Sequence, residues 1–222
     1  MLKRLKDIQS RLDTLGARIE AITADRRADE RRKIFSDIRH NLEAVDTLGT
    51  RTSKVATAEA AEKDLARAAT HLSEGFADTV ETLHRAPIDL QALDALWTLA
   101  AAIRLCHEAG LRALFSIDEL AAAEELARRR AGAFLDLSAS LSPDAIARLH
   151  AAGAADWQAQ EAARRAAMAQ AGTFVTGLRE SVTAVASQGE LAQVLRARGI
   201  AGPDYIRELA EERQAPLLTL AA

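Results

Sequence analysis

Met1, Leu5, Ile8, Leu12, Leu15, Ile19 and Ile22 follow one another at alternating spacings of four and three, which gathers them on one side of an α-helix. Read as heptads, Leu5, Leu12 and Ile19 occupy position a, and Met1, Ile8, Leu15 and Ile22 occupy d. An apolar stripe of this kind is stable only against a partner surface, either another copy or another part of the same chain. Continued forward, the register reaches Arg26, Asp29 and Lys33, so the apolar seam stops there. Arg4, Arg11 and Arg18 flank it at g, while Gln9, Gly16 and Thr23 at e carry no charge. Parallel copies would lack g-to-e ion pairs and antiparallel copies would set arginine against arginine, so the flanks suit an acidic partner surface.

The same periodicity returns in new phases along the chain: Ile34, Phe35, Ile38, Leu42, Val45 and Leu48; then Val55, Leu65, Leu72, Phe76, Val80 and Leu83; then Met168, Ala171, Val175, Leu178, Val182 and Val185. Composition agrees with it. About fifty of the 222 residues are alanine and only 4% are aromatic, a supply that favours helices and starves sheets. The expected fold is all-α, an elongated helical bundle with an N-terminal coiled-coil-like helix and a short C-terminal helical hairpin.

Three segments are expected. Residues 1–50 form the amphipathic arm, ended by Gly49, Thr50, Thr52 and Ser53. Residues 54–187 form the central bundle. There Pro87 stops one helix, Gly110 serves as the C′ residue of the apolar helix before it, and Ser116-Ile117-Asp118-Glu119 has the form of a capping box opening a helix to about Leu137. Ser142-Pro143-Asp144 reads as the start of one long helix reaching about Ser187. Residues 188–222 then form a hairpin, Glu190–Arg198 and Pro203–Arg213, followed by an apolar tail in which Leu217, Leu218 and Leu220 make a docking strip. The terminal Leu-Ala-Ala also resembles the tails read by bacterial unfoldase proteases.

The chemistry-bearing residues are sparse. Asp37-x-x-His40 and Glu81-x-x-His84 each place a carboxylate and an imidazole one helical turn apart, the element used in di-iron bundles. With 32 acids and five histidines in the chain, pairs of this kind arise by chance, and no metal or other cofactor is expected. Phosphate-binding glycine loops, the Gly-x-Ser-x-Gly elbow and His-Glu-x-x-His are missing from the sequence. Cys106 stands alone and is expected as a small buried apolar residue. Lys3, Arg4 and Lys6 are not followed by the apolar run of a secretion signal, and Ala95–Ile103 is too short to span a bilayer, so the expected location is the cytoplasm.

A non-enzymatic, self-associating helical protein is the expected function: an assembly subunit, scaffold or adaptor that forms a homo-oligomer through Leu5, Ile8, Leu12, Leu15, Ile19 and Ile22. Two other readings stand beside it. Met1, Leu2, Leu5 and Ile8 beside Lys3, Arg4 and Lys6 suit an amphipathic helix on a lipid or granule surface, which generally resembles the phasins that coat storage granules. Glu190–Arg213 resembles the cadence of a helix-turn-helix, although a long turn and the acids Asp204, Glu208, Glu211 and Glu212 argue against nucleic acid as a partner.

Overall fold

Apolar residues at 3–4 spacing become the buried sides of helices in the computed structural model, which describes residues 27–85, 91–151 and 156–212. Helix α1 (Arg27–Asp46) buries Phe35, Ile38, Leu42 and Val45 and passes into a 3₁₀ turn, Leu48–Thr50, at the glycine and hydroxyl residues that predicted a break. Helix α2 (Lys54–Arg85) buries Ala58, Leu65, Leu72, Phe76, Val80 and Leu83. Helix α3 (Gln91–Ser116) is the apolar one, with Leu96, Leu99, Ile103, Cys106, Leu111 and Leu114 buried around it, as a central helix requires. Helix α4 (Leu120–Ala139), the short α5 (Pro143–Ala151), α6 (Trp157–Arg198) and α7 (Gly202–Glu212) complete the described chain, which contains no strand.

Shared layers give the directions. Arg130 of α4 meets Glu62 of α2 and His107 of α3, whereas Phe174 of α6 meets Phe76 of α2 and Trp97 of α3. Going from the first layer to the second, α2 runs forward and α3 backward, so the two are antiparallel. Gly189 of α6 lies against Ala127 and Glu124 of α4, and Arg196 pairs with Glu124, which sets α4 antiparallel to α6. The result is an up-down-up-down arrangement of α2, α3, α4 and α6, with α1 tied to α3 by an Asp46–Arg112 ion pair at 2.6 Å.

Several helix ends differ from those the sequence suggested. Gly110 does not end α3, which runs through it to Ser116. The end comes at Asp118, whose φ of 65° places it in the left-handed region, with its N–H donating to the Phe115 carbonyl and that of Glu119 to the Leu114 carbonyl. This is a Schellman stop with aspartate in the usual place of glycine. The expected capping box is therefore not formed. Ser116 Oγ donates back to the Arg112 carbonyl, and α4 starts at Leu120 with no side-chain cap from Glu119.

The long helix expected from Ser142 is two helices. Ser142 caps α5 as predicted, its Oγ accepting from the Ala145 N–H, but a second N-cap, Asp156, accepts from Ala159 at 2.7 Å and opens α6 separately. Helix α6 then continues through Ser187 and Gly189, where a break and a C-terminal hairpin were expected, because Gly189 is buried in close contact with Ala127. Gly199 ends α6 at φ 66°, with Ile200 donating to the Leu195 carbonyl at 2.9 Å. Residues 199–201 separate α6 from α7, close to the connection between Arg198 and Pro203 that the sequence suggested.

Candidate functional site

Helix α4 buries Leu120, Ala123, Ala127, Arg130, Ala131, Phe134 and Ser138, so an arginine occupies a core position in an otherwise small and apolar stripe. Arg130 is only 5% exposed. A buried guanidinium must be paired and hydrogen-bonded to be tolerated. Here Nη2 donates to Glu62 Oε1 at 2.6 Å and Nη1 to the His107 carbonyl at 3.1 Å. Gly110 makes the room, since a Cβ at that position would lie 2.7 Å from Nη1. One planar side chain thus joins α2, α3 and α4.

Two further groups share the layer. His107 stacks edge-on against Phe134, ring centroids 5.4 Å apart, and its buried Nδ1 has no hydrogen-bond partner among the described residues. Burial, reinforced by the nearby Arg130 charge, lowers its pKa from 6.5 to about 3, so the ring is neutral at ordinary pH. Cys106 is fully buried, and burial pushes its thiol up to about 12 although Arg130 and a backbone hydrogen bond pull the other way. Burial also lowers the pKa of Arg130, against the pull of Glu62, but from a starting value of 12.5 that leaves the guanidinium charged. The layer offers neither a thiolate nor a histidine that titrates near neutrality. Its chemistry is that of a fixed charge holding helices in register.

A surface groove of about 400 Å³ is lined by Asp144, Arg148, Trp157, Gln160, Glu161 and Arg164 where α5 meets α6. Trp157 stands 72% exposed at its edge. Both arginines are engaged: Arg148 and Arg164 each pair with Asp144, at 3.1 and 3.4 Å.

The interface residues read from the sequence, Leu5, Ile8, Leu12, Leu15, Ile19, Ile22, Arg4, Arg11, Arg18, Leu217, Leu218 and Leu220, lie outside the described residues. Of the two carboxylate–histidine pairs, Asp37 and His40 are exposed, and His84 approaches the Ser142 N–H at 3.4 Å. Among the described residues no three of His, Cys, Asp and Glu gather as a metal would need, and no helix is long and apolar enough to cross a membrane. The second heptad seam, Met168 to Val185, faces the chain's own core, with Ala171, Leu178 and Val185 buried. Asp204, Glu208 and Glu211 are exposed on α7.

Glu62, His107 and Arg130 were not singled out by sequence. The signal for Arg130 was present: within the run Arg128-Arg129-Arg130 it alone keeps the 3–4 spacing from Ala123 and Ala127 and to Phe134. Compared with protein-family models, with curated proteins and with solved structures, the chain matches none.

Proposed function

We propose that the protein is a non-enzymatic helical assembly subunit that self-associates through its N-terminal heptads, with the bundle as its body. One observation carries this reading. Counted forward, the a and d positions of the stripe fall on Lys33, Ser36, His40 and Glu43, all exposed on α1. The side of α1 that packs on the bundle is offset from them, at Phe35, Ile38, Leu42 and Val45. On the heptad count, the register of Leu5, Ile8, Leu12, Leu15, Ile19 and Ile22 therefore falls on exposed positions of α1 rather than on its packed side, which supports a second copy as their partner. The buried layer, with its thiol and imidazole both held neutral, supports a structural role over a catalytic one.

Light scattering coupled to gel filtration tests the reading on the full chain. The expected result is an oligomer that Leu12→Asp converts to a folded monomer. A wild-type monomer whose elution is unchanged by Leu12→Asp would overturn it.

A further inference from the structure

Packing in the bundle is uneven. Helix α2 packs extensively on α3, and α4 on α6, whereas contact between these two pairs is thinner. The seam between the pairs is aromatic at one end, where Phe174 lies 6.1 Å from Phe76 and 4.8 Å from Trp97, and charged further along, where Arg130 meets Glu62 and the His107 carbonyl. An apolar layer loses its stabilisation when it parts. This ion pair instead regains hydration on the buried Arg130, Glu62 being already partly exposed, which offsets part of the lost attraction and makes that layer the easier one to separate. The covalent link between the pairs is 117–119, where Asp118 already has φ 65°, and its carboxylate accepts from the Gly202 N–H at 2.7 Å, holding the start of α7 at the same point.

We infer that the bundle is a pair of helical hairpins, α2–α3 and α4–α6, which part as a unit along the Glu62–Arg130 layer while remaining joined at the Asp118 turn. This opening is a sub-global transition, distinct from unfolding, because each hairpin keeps its own interior. It goes beyond self-association, since it rests on the bundle's own helices.

Cys106 is a built-in reporter: it is the only cysteine, it is fully buried, and it lies close enough to Arg130 to feel its charge. Labelling of this thiol in the native full-length chain, followed across a urea series below the unfolding transition, measures the opening. The expected result is labelling whose urea dependence is about half that of global unfolding or less, because only the seam is exposed. Glu62→Gln should raise the labelling rate roughly thirty-fold by leaving Arg130 uncompensated. The double variant Glu62→Leu with Arg130→Met, which replaces the pair by apolar side chains, should label no faster than wild type and refolds the seam even where Glu62→Gln alone cannot fold. Wild-type labelling with the full urea dependence of global unfolding, or a double variant that labels much faster than wild type, would overturn the inference.

Discussion

Lowering the pH from 7 to 5 asks the unfolded chain, but not the folded one, to take up a proton at His107. The folded imidazole is held near 3 by its burial and by Arg130, with Glu62 the acid on the far side of that guanidinium, whereas a free histidine titrates at 6.5. Stability from this group is therefore fully present above pH 6.5 and is lost as pH falls toward 3. Each pH unit inside that window is worth about 1.4 kcal/mol, so the loss between pH 7 and pH 5 is about 2 kcal/mol. His107→Leu keeps an apolar partner for Phe134 and removes the titration. The assay is urea unfolding of both proteins at pH 7, 6 and 5, with carboxylate contributions cancelling in the difference. The variant should gain about 2 kcal/mol on wild type over this range, and proton uptake on unfolding at pH 5 should fall by about one. Equal losses in the two proteins, within ~0.5 kcal/mol, would refute the buried neutral histidine.

Alkaline pH probes the other buried group: with Cys106 raised from 9.0 to about 12, its contribution is complete below pH 9 and falls as pH rises toward 12, by about 1.4 kcal/mol at pH 10, and Cys106→Ala should remove that limb of the stability profile. At Gly177 a Cβ would overlap the Trp97 ring, so Gly177→Ala should cost about 1–3 kcal/mol and shift tryptophan emission to the red in a Trp157→Phe background, read by thermal melting and fluorescence. Asp156→Ala removes the carboxylate that caps α6 and should cost about 1 kcal/mol in urea unfolding, with an unchanged midpoint counting against the separate start of this helix.

The sequence made helix class and most buried faces legible because both depend on local spacing. Phe35, Ile38, Leu42 and Val45 could be placed on one side of α1, and Ser142-Pro143-Asp144 marked the start of α5, without knowledge of any neighbour. What sequence misplaced depended on the neighbour. Gly110 and Gly189 resembled helix ends, but Gly110 admits Arg130 and Gly189 admits Ala127, and in both cases the helix continues. Asp118 stops α3 without the glycine that usually signals a stop, helped by the bond of its carboxylate to Gly202, a residue far along the chain. The charged layer was hidden for the same reason: Arg130 reads as one of three surface arginines until Glu62, far earlier in the chain, supplies its partner. The apolar stripe at the start of the chain is the clearest sequence signal for association, and its heptad count, carried onto α1, falls on the exposed positions Lys33, Ser36, His40 and Glu43 rather than on the buried ones.

The aromatic end of the seam also bears on how the chain is made. Phe76 and Trp97 belong to the hairpin synthesised first, yet the ring that covers them, Phe174, belongs to α6. At ~5–20 residues per second, the roughly eighty residues between Trp97 and Phe174 take on the order of 4–16 s to emerge from a ribosome. Through that interval Phe76 and Trp97 lack the ring that covers them, so this end of the seam is where apolar surface on the nascent chain waits longest for its cover.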